Sequence, residues 1–366
     1  MITEQCPDCA PNSILCGEKP ARLLYPDVAR TFATIGVIIL HICGGMMWTL
    51  TPDMWQFKWL VSADTIVHCA VPLFLMLSGM FLLSPDKKIT LSDVFRKYIF
   101  RLVAAYIGWS FFYAVFTTVI KGSFEAEGWY GIWRQFIDGR YHLWFLPMMI
   151  GVYLTTPFFR AVTKERNTQL LSYVFYILVL FNIVHPILDK FLPGLGSILR
   201  RITPSWFGIY ATYFFAGYYF SRIRVSQFGR YAWLGILVIS AFAVLYSVFS
   251  GSTALGKLDE SKWSPSSLPI FLYTIAVYMT FRNYGDVTAR SPRMHSFVRK
   301  LSEMSFTIYL CHDMFITILG KIGFHSLTWH PAISVPVLTV TVLICSMLLS
   351  KILIVCKMLV LRRCHR

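Results

Sequence analysis

Long apolar stretches, each separated from the next by a short polar segment, run along almost the whole chain. A helix needs about 20 mostly apolar residues to cross the hydrocarbon core of a bilayer. A scan at that length predicts ten transmembrane helices, at residues 28–50, 62–83, 97–121, 141–160, 168–187, 205–221, 230–250, 266–283, 303–323 and 332–356. The connecting loops are too short to hold a separate catalytic domain. The pattern therefore predicts an all-α integral membrane protein.

The composition supports this class and excludes several others. Hydrophobic residues make up 56% of the 366-residue chain and charged residues only 14%, whereas soluble domains carry roughly 25% charged residues. The net charge of +16 comes from short clusters of Lys and Arg between apolar runs and not from a basic domain, so no nucleic-acid partner is predicted. A soluble enzyme, a secreted disulfide scaffold and a disordered chain are excluded.

The same clusters of Lys and Arg orient the predicted helices. With the N-terminus in the cytosol, most of the 34 Lys and Arg residues fall on the cytosolic side, as the positive-inside rule requires. Both termini are therefore predicted to be cytosolic. The chain then divides into a cytosolic tail at 1–26, a transmembrane domain at 27–356 and a basic cytosolic tail at 357–366.

The N-terminal tail contains three cysteines, Cys6, Cys9 and Cys16, whose role the sequence leaves open. Cys6 and Cys9 form one CxxC pair, but a structural zinc site needs four ligands and no histidine lies nearby. We favour a flexible tail and predict no metal site.

The first predicted span contains two ionisable residues in a run of Ile, Val and Leu. Arg30 and His41 are eleven residues apart, which places them on one helix face and about 16 Å apart along the axis. His41 is expected near the membrane centre, where an ionisable side chain is costly and therefore indicates function. Asp27 is spaced to pair with Arg30. Topological anchoring of Arg30 and a helix-end role for Asp27 are the alternatives.

The ninth predicted span brings a second histidine, His312, to a depth similar to that of His41. Tyr309 lies one turn away on the same face. Tyr309 and Ser78 are expected to join both histidines in one polar pocket. Asp313 points about 100° further round the helix, so we expect that it does not face the same neighbour as His312.

Other polar residues near the helix ends admit two interpretations. Asp64 and His68 share a helix face and line either an outward cavity or a solvated helix end. His142 and Trp144 are expected at the outer interface, where Trp144 is typical of an aromatic belt. The pair Ser78-Gly79 predicts a close helix contact.

A basic cluster stands at the entry to the third span. It is suited to a polyanionic cytosolic ligand, although anionic lipid and topology account for it equally well. Its members are Arg96, Lys97 and Arg101.

Six segments stand in order along the predicted helices. They are DVARTFATIGVIILH, with a DxxR start and R-x10-H spacing, and then VPLFLMLSG, FRKYIFR, YHLWFLP, FFAGYYFSR and SFTIYLCHD. Together they resemble the acyltransferase-3 family of membrane O-acyltransferases over about residues 24–356. The compact form looks most like the O-acetyltransferases of surface polysaccharides and of enterobacterial common antigen.

The resemblance implies transfer of an acyl group, usually acetyl, from cytosolic acyl-CoA to a hydroxyl of a cell-surface saccharide or lipid-linked glycan precursor. Acetyl-CoA would be a co-substrate and not a tightly bound cofactor. The resemblance also implies a multi-pass protein of the bacterial cytoplasmic (inner) membrane, surrounded by membrane lipid.

The resemblance also implies roles for individual residues. His41 becomes the catalytic base or an acyl-relay residue, and Arg30 its partner on the donor side. Ser78 matches the SG of the second span and joins the donor-binding set, which also contains Arg96, Lys97 and Arg101, although the RxxR spacing of the family is not reproduced. Supporting roles are implied for Asp27, Trp144, Tyr309 and His312.

A transporter that exports or flips a saccharide or lipid-linked sugar is the alternative. Histidines near the membrane centre would suit a proton-coupled carrier as well as an enzyme. A CoA site around Arg30 distinguishes the two, because only the acyltransferase needs one.

Overall fold

The computed structural model describes residues 23–122, 124–192, 194, 208–288 and 291–364. Cys6, Cys9 and Cys16 lie outside the described residues, so the prediction for the N-terminal tail stays a prediction. Throughout the described ranges the regular structure is helical and contains no strand.

Thirteen helices can be named within the described residues, and each of the ten predicted spans overlaps at least one of them. In chain order they are α1 Tyr25–Met47, α2 Trp55–Val67, α3 Ala70–Leu82, α4 Leu91–Lys121, α5 Phe124–Asp138, α6 Phe145–Leu154, α7 Thr156–Lys164, α8 Thr168–Phe191, α9 Ile209–Arg222, α10 Gln227–Leu255, α11 Leu268–Thr288, α12 Pro292–Lys321 and α13 Pro331–Cys364. Short 3-10 turns precede α6, at Tyr141–Trp144, and α11, at Glu260–Trp263.

Within the described residues, six helical stretches are long and apolar enough to cross a membrane. A seventh results if the pair Gly128–Leu154 and Thr156–Lys164, bent by 43°, forms one span. The chain is thus an all-helical, multi-pass membrane protein. The number ten and the orientation of the termini stay predictions. The six stretches are Tyr25–Met47, Trp55–Leu82, Leu91–Lys121, Thr168–Phe191, Gln227–Leu255 and Pro331–Cys356.

Outside these six stretches and the bent pair, the remaining helices are α9, α11 and α12, which correspond to predicted spans six, eight and nine. Helix α9 has only 14 residues, and most of them are buried against other helices. Helix α12 carries Arg299, Lys300 and Glu303 in its first half. A helix enclosed by protein presents little surface to lipid, so it does not need a continuous apolar sequence.

Helix α1 lies at the centre of the bundle, where it packs against α2, α3, α11, α12 and α13. It begins with Pro26, whose fixed φ suits the first helical turn. Ala29 and Ala33 are fully buried, and their small side chains let neighbouring helices approach closely. This central position carries Arg30 and His41 into the interior.

Helices α3 and α9 touch through their backbones. A Cβ atom on Gly79 would collide with the backbone of Phe214, and a Cβ atom on Gly217 would collide with the backbone of Met76. Glycine is therefore required on both sides of the contact. The predicted close approach at Ser78-Gly79 is confirmed, and it holds Ser78 at a fixed place in the bundle.

Candidate active site

Two cavities follow one another along α1. The first, which we call the histidine cavity, has a volume of about 700 Å³ and borders the C-terminal half of α1 at His41 and Trp48. The second, the arginine cavity, has a volume of about 320 Å³ and borders the N-terminal half at Arg30. The histidine cavity is also lined by Asp64, His68, His142, Trp144 and Trp263, and the arginine cavity by Ser78, Tyr98, Arg101, Tyr153 and Phe306.

A partition of two aromatic side chains separates the cavities. Within the described residues, Phe145 and Tyr309 are the two that border both. Their ring centroids are 5.3 Å apart, with the rings edge to face. The Tyr309 hydroxyl donates a hydrogen bond to the backbone carbonyl of His142, which fixes one side of the partition.

Three histidine rings meet behind this partition. The His41 ring stacks on the His312 ring with centroids 5.0 Å apart. The His142 ring lies 5.2 Å from His312 and 6.2 Å from His41. His312 Nδ1 lies 2.7 Å from the Tyr309 carbonyl oxygen, and a carbonyl only accepts, so this nitrogen carries the proton. No group of His, Cys, Asp and Glu in the described ranges is arranged to hold a metal ion.

A buried ion pair supports the histidine cluster. Arg140 Nε donates to Asp313 Oδ2 over 2.6 Å, and the Tyr141 hydroxyl donates to Asp313 Oδ1, also over 2.6 Å. Arg140 donates a further bond of 2.8 Å to the Thr317 hydroxyl. Because every oxygen of this buried carboxylate has a charged or hydroxyl partner, the charge of Asp313 is compensated.

This ion pair corrects the expectation that His312 and Asp313 face different neighbours. The His142 ring contacts His312, and His142 Nδ1 also lies 3.8 Å from Asp313 Oδ2. The segment before α6 explains this, because Gly139 adopts a left-handed φ of 68° and a 3-10 turn follows. The side chains of the consecutive residues Arg140, Tyr141 and His142 therefore contact α12 at different positions around its axis.

His142 lies inside the protein and not at the outer interface, where the sequence predicted it. Its side chain is fully buried, and in the described part of the chain neither ring nitrogen has a hydrogen-bond partner. The ring instead meets the Tyr113 ring edge to face, with centroids 5.0 Å apart.

Cationic side chains gather around Arg30, on a side of the arginine cavity that we call its mouth; Lys87 adjoins Arg30 there without lining the cavity itself. Arg30 and Lys87 both lie against the Phe81 ring, at 5.8 Å and 4.7 Å from its centroid. Burial, together with the charges of Arg30 and Lys97, lowers the pKa of the Lys87 ammonium group below its usual value. Arg101 lines the cavity wall over the Phe306 ring, 4.9 Å from its centroid. This mouth is suited to an anion.

A family comparison agrees with this arrangement. The chain matches the acyltransferase-3 family model, described as an acyltransferase domain, over residues 23–351. The chain belongs to the acyltransferase-3 family. Searches among curated proteins and among solved structures gave no match. Both cavities lie within the matched residues, so the geometry above is that of a membrane acyltransferase.

The acyltransferase brings some predicted residues into its cavities and leaves others outside. Arg30, Ser78 and Arg101 line the arginine cavity, and Tyr309 borders both. Arg96 is exposed and is not among the residues that line the cavity. Further predicted residues lie close by: Lys97 is near enough to Lys87 to affect its charge, Trp144 lines the histidine cavity, and Asp27 accepts a 2.6 Å hydrogen bond from Ser302.

The expected pocket of two histidines, Tyr309 and Ser78 is wrong in two members. His312 stacks on His41 but is not among the residues that line the histidine cavity. Ser78 lies on the other side of the partition, in the arginine cavity. On α3, Pro72 lines the histidine cavity, and Ser78 is six residues further on, or about 9 Å along the axis. Ser78 is therefore on the same side as Arg30.

Asp64 and His68 line the histidine cavity of the acyltransferase, which favours the cavity interpretation over a solvated helix end. His68 Nδ1 donates to Asp64 Oδ1 over 2.9 Å. The Trp263 ring stacks on the His68 ring at 4.8 Å and donates from Nε1 to the Thr65 hydroxyl over 3.0 Å. These contacts hold the His68 ring in one orientation.

Proposed function

We propose that this acyltransferase moves an acyl group, by preference acetyl, from CoA in the arginine cavity to a hydroxyl in the histidine cavity. The observation that carries the proposal is the meeting of a cationic cavity and a histidine-lined cavity at one aromatic partition. In this proposal the arginine cavity opens to the cytosol, both termini are cytosolic, ten helices span the bacterial inner membrane and the histidine cavity faces the opposite side.

The cationic mouth supports CoA as the donor. CoA carries several phosphates on a long flexible thiol arm, and guanidinium and ammonium groups are the usual partners of phosphate. Arg30, Lys87 and Lys97 would bind the phosphates, and Arg101 the arm as it enters. The thioester would then lie beside Ser78 and the partition. Arg96 belongs to the donor-binding set only if the bound donor extends beyond the cavity.

The lining of the histidine cavity supports a saccharide acceptor, free or linked to a lipid. Its volume of about 700 Å³ is in the range of about 300–1,000 Å³ that is typical for small-molecule sites. Trp144 and Trp263 offer flat apolar faces, and the Asp64 carboxylate offers an acceptor for hydroxyl groups. His41 lines this cavity and stacks on His312, whose ring lies 6.0 Å from the Tyr309 ring of the partition.

The reaction needs one proton carrier, and His41 is placed to act as one. In direct transfer, His41 takes the proton of the acceptor hydroxyl while its oxygen attacks the thioester carbonyl carbon. A C–O bond forms, the C–S bond breaks, and the proton passes to the departing CoA thiolate. In the relay route, a His41 nitrogen attacks the thioester carbonyl carbon, the C–S bond breaks and CoA leaves as the thiolate. The acceptor oxygen then attacks the acyl-histidine, the C–N bond breaks, and the hydroxyl proton passes to the CoA thiolate. General-base help is typically worth about 10²–10⁴-fold.

The test is transfer of radiolabel from acetyl-CoA by the purified protein in lipid nanodiscs, with a lipid-linked saccharide as acceptor. His41→Ala is expected to abolish transfer and Arg30→Ala to weaken CoA binding. His295→Ala and Arg230→Ala are the matched controls, because His295 and Arg230 line neither cavity. If the protein neither binds acetyl-CoA nor uses succinyl-CoA, the proposed function is wrong, and flipping or export of a saccharide or lipid-linked sugar becomes the hypothesis to test.

A further inference from the structure

The route between the two cavities is narrow. Arg30 and Arg101 lie in the arginine cavity and His41 lies in the histidine cavity. Among the described residues, only Phe145 and Tyr309 border both. These two rings therefore stand where the cavities adjoin, and we take the path of an acyl group from the arginine cavity to His41 to run past them.

The two rings of the partition differ in how firmly they are held. The Tyr309 side chain is buried, donates a hydrogen bond to the His142 carbonyl and touches the His142 and His312 rings, at 5.9 Å and 6.0 Å. Phe145 is only partly buried and has no polar group to anchor it. It packs on Phe74 at 6.3 Å. A rotation of the Phe145 side chain is thus the easier way to open the partition.

The closed partition leaves little space. The two ring centroids are 5.3 Å apart and the rings pack edge to face, which is ordinary contact for an aromatic pair. A two-carbon acyl group needs a small displacement of Phe145, whereas a longer chain needs the ring to leave its position and give up its contacts with Phe74 and Tyr309. The free-energy cost of passing the partition therefore rises with each added methylene of the acyl chain.

We infer that Phe145, closing against Tyr309, is the residue that restricts this enzyme to short acyl groups. The inference rests on the proposed function, since it concerns the donor that the same site uses. It assigns Phe145 a role in selecting the acyl group and none in moving protons.

The experiment measures transfer from acetyl-, butyryl- and octanoyl-CoA in competition, for wild type, Phe145→Leu and Phe145→Ala. Wild type is expected to prefer acetyl. The ratio of butyryl to acetyl transfer is expected to rise about tenfold or more in Phe145→Ala, since one methylene in a tight apolar site changes selectivity by about 10–200-fold. Phe145→Leu is expected to give an intermediate ratio. Phe249→Ala is the matched control, because Phe249 is also a partly buried phenylalanine but lines neither cavity, and its ratio should stay within about twofold of wild type.

The failure of the inference is distinct from the failure of the proposed function. If the wild-type protein transfers no acyl group from any of the acyl-CoA donors, the proposed function is wrong. A wild type that uses octanoyl-CoA as well as acetyl-CoA, or a folded Phe145→Ala enzyme with the wild-type ratio, overturns the inference alone. If Phe145→Ala does not fold, Phe145→Leu decides, because leucine keeps most of the apolar packing, and an unchanged ratio in that variant also overturns it.

Discussion

The Arg140 guanidinium and the Asp313 carboxylate form a buried ion pair, with Nε and Oδ2 2.6 Å apart, that joins the segment before α6 to α12. This pair sets the distance between the two elements that carry the partition, since Phe145 begins α6 and Tyr309 belongs to α12. The catalytic geometry therefore depends on a charge pair that itself lies outside both the arginine cavity and the direct path of the acyl group.

Loss of one partner of this pair is expected to be costly. Asp313→Asn leaves Arg140, whose side chain is 21% exposed, without its counter-charge. Breaking a fully buried pair typically costs about 3–5 kcal/mol, and the partial exposure of Arg140 reduces that cost. The midpoint of thermal unfolding in nanodiscs should fall, and acyl transfer should fall with it. The double variant Arg140→Met/Asp313→Leu removes both charges and should recover much of the stability. Equal losses in the single and double variants would contradict the prediction.

His312 is expected to assist His41 without replacing it. The two rings stack with centroids 5.0 Å apart, and the Nδ1 proton of His312 is held by the Tyr309 carbonyl. His312→Ala should lower kcat by about tenfold, well below the loss of about 10²–10⁴-fold expected for a general base. KM for the donor should change little, because His312 does not border the arginine cavity. A His312→Ala enzyme as inactive as His41→Ala would show that the two roles were assigned the wrong way round.

The affinity for CoA is expected to fall at alkaline pH because of Lys87. Burial and the neighbouring Arg30 and Lys97 lower the pKa of Lys87, so it loses its charge at a lower pH than an exposed lysine does. Bound phosphate favours the charged form, so binding weakens as the pH rises through this lowered pKa. Lys87→Arg keeps its charge and should flatten the decline. Calorimetric titration of CoA over about pH 7–10 checks this, with Lys164→Arg as the control that leaves the decline unchanged.

The contact between α3 and α9 is expected to tolerate no side chain at Gly79 or Gly217. Gly79→Ala places a methyl group in the backbone of Phe214, and overpacking of this kind costs about 1–3 kcal/mol or more. Gly235→Ala is the matched control, since a Cβ atom there meets nothing within 4 Å. That control should be neutral or slightly stabilising, because alanine favours a helix over glycine by about 1 kcal/mol. The midpoints of thermal unfolding of Gly79→Ala and Gly235→Ala, compared with wild type, test this prediction.

The helices were predictable because their cause is local. An apolar run of about 20 residues forms a helix in a bilayer whatever its neighbours are, so every predicted span overlaps a helix. Their breaks also carry a local signal. The interruption between α2 and α3 near His68 comes four residues before Pro72, and the bend at Thr155 comes two residues before Pro157. Proline cannot donate the helical hydrogen bond to the residue four positions earlier. The predicted spans 62–83 and 141–160 run through both breaks because a scan for apolar length does not register proline.

The site was predictable only where a polar residue stands alone among apolar ones. Arg30 and His41 gave that signal. His142 and Asp313 did not, because residues near the predicted ends of spans look interfacial until the segment that carries them folds inward. Lys87 lies in the loop after α3, and its proximity to Arg30 follows from the return of that loop over Phe81. In the sequence, Lys87 is one of two lysines next to an aspartate in a loop. That pattern is typical of ordinary surface charge and did not indicate a site.

Helix α4 contains a wide π turn at Val94–Ile99, and such a turn corresponds to one extra residue in an α-helix. The turn takes up this residue locally, so removing one residue there would restore a regular helix with both flanks near their present orientation. Lys97 lies inside the turn and Arg101 on the regular helix after it, so such a deletion would shift Lys97 relative to Arg101. A single-residue deletion at this turn is thus expected to change the spacing of the basic side chains at the proposed donor site while every residue around His41 stays in place.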